Sequence, residues 1–380
     1  MDSLTARRAR LDAVMEARGD WPERSPWIRE AVGRLPRDLF APDRLWRWDG
    51  EAYAPVDRAA DPGAWADELY ADPDAAAVTQ VTDGFATSSL SCQAVVVDML
   101  DSLRPEPGHR VLELGAGTGW NAALVSLRTG ADTVTSVEVD ASLAAAARAR
   151  LADRAPGVRV LVGDGAHGLP GHAPYDRVVA AYAVDRVPWA WVAQTAPGGR
   201  IVTPWGRLGH VALTVADDGR SASGWIQGLA QFMPARAAGA TTGQADQTGQ
   251  TGFGAVRAGV PRESERPWTR DLAPLRDDWD LVFALRVALP ELRFTVDADG
   301  LSARVHDGVS SWAVLAAPDG RSAVAQQGGP RRLADELDRA WAAWTETGSP
   351  SRFDHGLTVT PDRQYAWAVD AETGPRWTLG

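Results

Sequence analysis

The chain contains no lysine, so all 39 of its basic residues apart from histidine are arginine. This absence excludes a Schiff-base lysine and the lysine of a P-loop. The single cysteine, Cys92, excludes an intramolecular disulfide and a cysteine-based zinc site. The six histidines are scattered and form no H-E-x-x-H pair. We therefore expect no bound metal.

Positive charge is scarce as well: the net charge is −11 and the pI is about 5.1. Such a chain lacks the basic surface expected of a nucleic-acid-binding protein. Its N-terminus has no apolar signal segment, and no run of about 18 apolar residues occurs. We expect a soluble, cytoplasmic protein whose partners include neither nucleic acid nor membrane. With 380 residues, 45% of them hydrophobic, it can form two or three domains with a sizeable core.

The most informative segment is Val111–Asn121, which reads V-L-E-L-G-A-G-T-G-W-N. A hydrophobic run there meets three glycines at alternate positions, Gly115, Gly117 and Gly119. This pattern is typical of a buried parallel strand that turns sharply into a helix and lets a ligand lie on the backbone. A dinucleotide fingerprint would need a third glycine at Trp120. The observed E-x-G-x-G-x-G, with Glu113 inside the strand, instead resembles the pattern of S-adenosylmethionine (SAM) methyltransferases.

Acidic residues mark the ends of the next two predicted strands. Strand Thr133–Val139 includes Glu138, and strand Val158–Val162 leads into Gly163-Asp164-Gly165. A carboxylate after the second strand can accept hydrogen bonds from ribose hydroxyls, and the acidic turn after the third fits an adenine amino group. The alternation of strands and helices predicts a Rossmann-like, doubly wound α/β core with its ligand at the carboxyl ends of the strands.

Each of these features also has an ordinary structural explanation. A G-x-G-x-G segment makes tight turns in many proteins, Glu138 can serve as a helix N-terminal carboxylate, and Asp164 can form an Asx-turn. Three such strand ends in this order favour a cofactor site. We therefore predict SAM as cofactor and S-adenosyl-L-homocysteine (SAH) as product.

Four segments are expected along the chain. Residues 1–104 are predicted to be a helical, substrate-loop segment, irregular over 43–80 and with a polar turn at Ser88–Gln93. Residues 105–236 form the SAM-binding core, and residues 237–252, rich in Ala, Gly, Thr and Gln, a flexible linker or loop. Residues 253–380 are predicted as a smaller α+β accessory region. Its predicted elements are strands at 292–296, 302–306 and 312–316, a helix at 333–345 and a hairpin over 357–368.

Four blocks of the sequence resemble the protein-L-isoaspartate O-methyltransferase family. They lie between about residues 25 and 235, and the spacing of the second and third blocks matches that of the family. The blocks are A-V-G-R-L-P-R-D-L-F-A-P at 31–42, T-S-S-L-S-C-Q at 87–93, the glycine segment at 110–121 and P-G-G-R-I-V-T-P-W-G at 197–206.

The resemblance implies roles for individual residues. Ser91 takes the place of the family's active-site serine, with Ser88 and Ser89 as candidate helpers. The residues at SAM-binding positions are Glu113, Gly115, Gly117, Thr118, Gly119, Asn121, Glu138, Val139, Asp164 and Gly165. Taken without the resemblance, Ser91 is better explained as the N-cap of a helix over 94–103.

The family transfers the SAM methyl group to a carboxylate of an isoaspartyl residue, and the ester then collapses to a succinimide. A carboxylate is ionised at neutral pH, so this transfer needs no general base. The protein has to supply approach geometry and exclude water. No catalytic histidine, lysine or metal is therefore required.

The chain departs from the family pattern in three places. Gln93 stands where the family's loop has a proline, the segment 179–184 contains Tyr182 where small residues are usual, and residues after 252 extend beyond the core. Extended homologues of this kind resemble methyltransferases of ribosomally made, modified peptides such as graspetides, lanthipeptides and lasso peptides.

From the extension we expect the substrate to be a normal aspartate of a constrained precursor peptide. Its ester would cyclise to an aspartimide. The first alternative is isoaspartyl repair of aged proteins. A second alternative, a catalytically inactive SAM-binding module, rests on the missing proline. Methylation of a small molecule or a nucleic acid is disfavoured by the four-block match and by the acidic charge.

Overall fold

The computed structural model describes residues 3–206, 208–236, 249–317 and 323–379. By its internal contacts the chain divides into two compact units. The first comprises Met1–Thr242 together with Leu357–Gln364, and the second Gly243–Gly356 together with Tyr365–Gly380. The predicted segments 1–104 and 105–236 thus share one unit. The predicted linker at 237–252 lies outside the described residues up to 248, and from Gly249 onward it is helical.

The helices are numbered in chain order. Their bounds are α1 Leu4–Arg18, α2 Trp27–Arg34, α3 Pro62–Tyr70, α4 Gln93–Leu103, α5 Trp120–Thr129, α6 Ala141–Arg154, α7 Trp189–Ala193, α8 Gly249–Gly259, α9 Pro274–Asp277, α10 Trp279–Ala288 and α11 Leu333–Glu346. Short 3-10 helices occur at Arg37–Leu39, Gly165–His167, Pro170–His172 and Arg352–Asp354. Within the described ranges, no helix is long and apolar enough to cross a bilayer.

The strands are numbered in the same way. Those before residue 236 are β1 Arg44–Trp48, β2 Tyr53–Asp57, β3 Ala77–Thr82, β4 Phe85–Leu90, β5 Val111–Leu114, β6 Val134–Glu138, β7 Arg159–Val162, β8 Tyr175–Ala180, β9 Thr195–Trp205, β10 Gly209–Val215 and β11 Ala222–Leu229. Those after it are β12 Ser264–Trp268, β13 Arg293–Val296, β14 Ser302–His306, β15 Trp312–Ala316, β16 Ala323–Gly328, β17 His355–Val359, β18 Gln364–Ala368 and β19 Arg376–Thr378.

The main sheet of the first unit is doubly wound. Its order is β11-β10-β9-β8-β5-β6-β7, and β9, β8, β5, β6 and β7 run parallel. From β5 the chain moves outward through β6 and β7 and then returns to β8 on the other side of β5. The topological switch point therefore lies between β5 and β8, where α/β sheets bind their ligands. The predicted Rossmann-like α/β class is confirmed.

A smaller antiparallel sheet, in the order β2-β1-β3-β4, belongs to the same unit. It occupies much of the stretch 43–80 that was expected to be irregular, where short strands alternate with α3 and leave no long periodic pattern. The predicted polar turn at Ser88–Gln93 is wrong as well. Ser88 and Ser89 lie on β4, and α4 already begins at Gln93.

The segment Leu357–Gln364 returns to the first unit, where residues 357–359 of β17 lie beside β11. The Thr358 and Ser223 hydroxyls are 2.8 Å apart. The buried Gln364 amide bonds both main-chain groups of Val187: Oε1 accepts from its N–H at 3.0 Å, and Nε2 donates to its carbonyl. A buried amide that satisfies two main-chain groups fixes this segment in place.

The second unit contains an antiparallel sheet in the order β12-β16-β15-β14-β13. Helices α10 and α11 pack with it around one apolar core that includes Leu285, Leu315 and Leu337. Strands β13 to β15 and helix α11 agree with the sequence pattern. Strands β12 and β16 and helix α10 were missed. In the same unit, Tyr365 of β18 pairs with Thr378 of β19 in antiparallel register.

Replacing Gln364 by Ala leaves the buried N–H and carbonyl of Val187 unpaired. We expect the free energy of unfolding of the first unit to fall by about 1–3 kcal/mol. Urea unfolding measures this loss, and Asp362→Ala, in the exposed turn just before Gln364, is the matched control. Equal stability of the two variants would contradict the role assigned to the Gln364 amide.

Candidate cofactor and acceptor site

The glycine turn after β5 lies at the switch point of the sheet. Gly115 has a φ of 92° and Gly119 a φ of 90°, conformations that favour glycine. The Gly115 N–H donates to the carbonyl of Val137 at 2.7 Å, which extends the β5–β6 pairing by one residue. Gly119 precedes α5, and Thr118 beside it is buried. The turn therefore presents main-chain groups at the carboxyl end of the sheet.

Glu138, the last residue of β6, is buried and tied to this turn. Its Oε2 accepts from the Gly117 N–H at 2.9 Å, and its Oε1 accepts from the Asp140 N–H at 3.1 Å. The N-cap of α6 is Asp140, whose carboxylate accepts from the N–H groups of Ser142 and Leu143. Asp140, not Glu138, therefore caps the first turn of α6, while the Glu138 carboxylate lies at the N-terminus of that helix and bonds the glycine turn as well.

Asp164 and Gly165 follow β7 at the same edge of the sheet. The Asp164 carboxylate accepts from the Ala166 N–H at 2.9 Å, so the Asx-type turn considered as an alternative is present. This bond uses Oδ1 only. Val139 and Asp164 are half-buried, whereas Gly165 is buried. Glu138 and Asp164 thus close the ends of neighbouring strands, and β6 and β7 pair at Glu138 and Val162.

Two buried side-chain oxygens near the glycine turn have no hydrogen-bond partner among the described residues. Glu113 Oε2 accepts from the Ser136 hydroxyl, but Glu113 Oε1 has no hydrogen bond of normal geometry among the described residues, although the Ala122 N–H is nearby. Asn121 Oδ1 is also buried without a partner there. Burial raises the pKa of Glu113 to about 8. The unpaired Asn121 oxygen and the strand-end carboxylates fit a ligand with N–H and O–H donors, such as SAM, and the protonated Glu113 can itself donate through Oε1.

The serines predicted from the sequence, Ser88 and Ser89, lie next to the glycine turn at Gly117. A Cβ built at Gly117 would be 3.8 Å from the Ser89 carbonyl oxygen and 3.9 Å from the Ser88 hydroxyl. Strand β4 and the glycine turn are therefore neighbours. Ser91 does not cap α4: the N-cap is Cys92, with no side-chain hydrogen bond. Within the described part of the chain, the Ser91 hydroxyl makes no hydrogen bond and is half-buried.

Arg37 holds the loop that carries Ser91. It lies in the 3-10 helix Arg37–Leu39 and is completely buried. Its guanidinium donates to four main-chain carbonyls. They are those of Leu69, Ala75 at 3.3 Å, Leu90 at 3.2 Å and Ser91 at 2.9 Å. One side chain thus fixes the end of β4 and the loop that follows it.

The charge of Arg37 meets no carboxylate among the described residues, and burial lowers its pKa to about 10. The guanidinium instead lies 5.8 Å from the ring centre of Trp120, a cation–π contact. The Trp120 indole N–H in turn donates to the carbonyl of Leu35 at 2.8 Å. Trp120 is the first residue of α5 and directly follows Gly119. Arg37 therefore links the loop that carries Ser91, here called the serine loop, to the glycine turn.

Sequence reasoning placed Arg37 and Trp120 in motifs but gave neither a role. The available signal was an arginine in a proline-flanked apolar turn. Another residue that sequence reasoning missed is Tyr182, which contacts both the Gly115 and Gly165 turns. It was noted only as a departure from the family pattern.

Comparison with known proteins gives the family. The family model described as "Protein-L-isoaspartate(D-aspartate) O-methyltransferase (PCMT)" matches residues 51–233. The protein-L-isoaspartate O-methyltransferase of Aeropyrum pernix is 36% identical over 225 residues, which cover 58% of this chain and 76% of that protein. The chain belongs to the protein-L-isoaspartate O-methyltransferase family.

A second relative agrees with this assignment. The Methylorubrum populi protein of the same name is 38% identical over 184 residues, 48% of this chain and 79% of its own length. A solved structure named protein-L-isoaspartate O-methyltransferase covers 96% of this chain and 100% of its own at 20% identity and a TM-score of 0.49. This last similarity is too low to support an inference.

Family membership confirms the predicted enzyme class and cofactor. The protein is a SAM-dependent protein or peptide (iso)aspartyl O-methyltransferase, and its cofactor is SAM. The relatives do not support the finer expectation of a ribosomally made peptide substrate. The roles of the individual site residues stay predictions.

Replacing Glu113 by Gln tests its raised pKa. The folded chain keeps a proton on Glu113 up to about pH 8, whereas an unperturbed carboxyl loses it near 4.5. The stability due to this group is therefore complete at low pH and is lost as pH rises from 4.5 towards 8, by up to about 1.4 kcal/mol per pH unit. Urea unfolding across this range should show that the free energy of unfolding of Glu113→Gln rises relative to that of the unmodified chain as the pH increases. Parallel stability curves would contradict burial of a neutral Glu113.

Arg37→Lys tests the link between the serine loop and the glycine turn. A lysine ammonium cannot reach the four carbonyls with the fork geometry of a guanidinium. We expect a loss of about 1–3 kcal/mol in the free energy of unfolding. We also expect kcat/KM for an isoaspartyl peptide to fall about tenfold or more because the acceptor loop is misplaced.

The SAH affinity separates positioning from general damage, because isothermal titration calorimetry reports on the cofactor alone. Arg34→Lys, at an exposed position of α2, is the matched control and should change neither quantity. If Arg37→Lys weakens SAH and peptide alike, Arg37 supports the whole fold rather than the serine loop.

Proposed function

We propose that this protein methylates the free carboxylate of an L-isoaspartyl residue in protein or peptide substrates. One observation carries the proposal: β4, with Ser88 and Ser89, lies directly against the glycine turn at Gly117. A substrate carboxylate held by β4 would face a cofactor held by the glycine turn. The relatives named protein-L-isoaspartate O-methyltransferase support this substrate class over the modified-peptide substrate expected from the sequence.

In this proposal Glu138 and Asp164 bind the nucleoside half of the cofactor. Both end strands at the carboxyl edge of the sheet, and each keeps acceptor capacity beyond the main-chain bonds described above. The Gly115–Gly119 turn supplies main-chain groups, and the buried Asn121 Oδ1 supplies an unused acceptor. Thr118, Val139 and Gly165 complete the walls.

Ser91, with Ser88 and Ser89, orients the acceptor. The ionised carboxylate attacks directly, so no side chain has to remove a proton. SAM supplies an activated methyl group on a sulfonium. The methyl–sulfur bond breaks as the methyl–oxygen bond forms, and SAH carries away the electron pair. A hydroxyl such as that of Ser91 donates one hydrogen bond, which leaves a lone pair of the carboxylate aimed at the methyl carbon.

A second candidate substrate is a normal aspartate in a constrained, ribosomally made peptide. The observation that favours it is the second unit, Gly243–Gly356 with Tyr365–Gly380, which lies outside the matched range 51–233. After methyl transfer, the next backbone amide nitrogen would attack the ester and expel methanol, leaving a succinimide. This step needs no further group from the protein.

Mass spectrometry with SAM and two peptides distinguishes the candidates. One peptide is an isoaspartyl hexapeptide, and the other a macrocyclised peptide with a single Asp-Gly step. The proposal predicts the mass gain of one methylene on the isoaspartyl peptide. Modification of the macrocycle alone, with a final loss of one water, would replace it by the second candidate. SAH binding without turnover of either would favour an inactive binding module.

Ser91→Ala tests the acceptor side. We expect kcat/KM for the methylated peptide to fall about tenfold, the size of one hydrogen bond to a charged group, with SAH affinity unchanged. The fold should persist because Arg37 bonds the main-chain carbonyl of Ser91, not its hydroxyl. Ser223→Ala, which removes a hydroxyl bonded to Thr358, is the control. Equal activity of the two variants would remove Ser91 from the mechanism.

A further inference from the structure

Tyr182 lies in the crevice at the switch point of the main sheet. It follows β8 by two residues, and the Ala181 N–H before it donates to the Leu114 carbonyl at 2.8 Å. Its ring lies against the glycine turn: a Cβ at Gly115 would be 3.0 Å from Tyr182 Cδ1. Its hydroxyl reaches the turn after β7, because a Cβ at Gly165 would overlap that oxygen.

The orientation of this ring does not depend on the hydroxyl. Trp191 of α7 packs edge-on against Tyr182, with the ring centres 6.2 Å apart. The buried Trp191 indole N–H donates to the Gly165 carbonyl at 2.8 Å and so fixes the Gly165 turn. The tyrosine ring is therefore fixed by packing between the Gly115 turn, which follows β5, and the Gly165 turn, which follows β7.

The Tyr182 hydroxyl has no hydrogen-bond partner among the residues that the structure describes. Burial and the nearby carboxylates of Asp164 and Glu138 raise the pKa of Tyr182, so the hydroxyl stays neutral. A neutral phenol keeps its hydrogen available as a donor. A half-buried donor without a partner, beside two carboxylates assigned to the cofactor, is placed to donate to an acceptor atom of a ligand in the crevice.

We propose that Tyr182 is a cofactor-contacting residue that closes the crevice between the Gly115 and Gly165 turns and donates its hydroxyl hydrogen to the nucleoside half of SAM. That half carries ribose oxygens and adenine ring nitrogens, which accept hydrogen bonds. Glu138 and Asp164 only accept, so the tyrosine supplies the complementary donor. The inference rests on the cofactor alone and is independent of the peptide substrate.

Binding of SAH and of 5′-methylthioadenosine, measured by isothermal titration calorimetry, tests this assignment. Methylthioadenosine contains the nucleoside half and lacks the amino-acid half. For Tyr182→Phe we expect both dissociation constants to rise by the same factor, about fivefold to tenfold, as one neutral hydrogen bond is lost. The KM for the peptide should not change.

Tyr175→Phe is the matched control. Tyr175 is a buried tyrosine of β8 whose hydroxyl donates to the Leu169 carbonyl at 2.9 Å. Its loss should lower the melting temperature and leave both dissociation constants unchanged. Unchanged constants for Tyr182→Phe would overturn the proposal. So would a loss confined to SAH, which would place the hydroxyl at the amino-acid half, or a higher peptide KM alone, which would place it at the acceptor.

Discussion

The site depends on a buried guanidinium that meets no carboxylate in the part of the chain that the structure describes. Arg37 is completely inaccessible, and main-chain carbonyls and the face of Trp120 take the place of a counter-ion. Carbonyl dipoles aimed at one charge resist displacement, because moving any of them leaves a buried charge less solvated. Arg37 thereby holds the end of β4, the loop with Ser91 and the first residue of α5 rigidly together. Methyl transfer, which depends on approach geometry more than on proton transfer, requires such rigidity.

The remaining polar groups of the crevice divide into acceptors and donors. Carboxylates end β6 and follow β7, and the glycine turn brings main-chain N–H groups beside them. Tyr182 and Trp191 set the depth of the crevice from the side of β8 and α7. Glycines at 115 and 165 leave the space that the tyrosine ring occupies. The same two glycines thus leave room for the Tyr182 side chain and for a ligand beside it.

The doubly wound core was predictable because buried parallel strands and a glycine turn leave a local, ordered signal. The cofactor followed from that signal and the family from the four sequence blocks, and both are confirmed. Strands β1 to β3 were missed because they are short and leave no long periodic pattern. Ser88 and Ser89 were taken for a turn because they are polar, although tertiary packing buries Ser88 on a strand. Arg37 and Tyr182 act through contacts distant in sequence, which no local pattern encodes. The roles of Ser91 and of residues 253–380 stay predictions.

The first unit is discontinuous in the chain, because Leu357–Gln364 is separated from the rest of it by most of the second unit. A polypeptide leaves the ribosome N-terminus first, so residues up to Leu229 are available while β17 has not been translated. Throughout that interval one side of β11 has no neighbouring strand, and the main-chain groups of Val187 have no Gln364 amide. An open strand edge on a nascent chain invites pairing with other chains. The last part of translation therefore completes the methyltransferase sheet as well as the second unit.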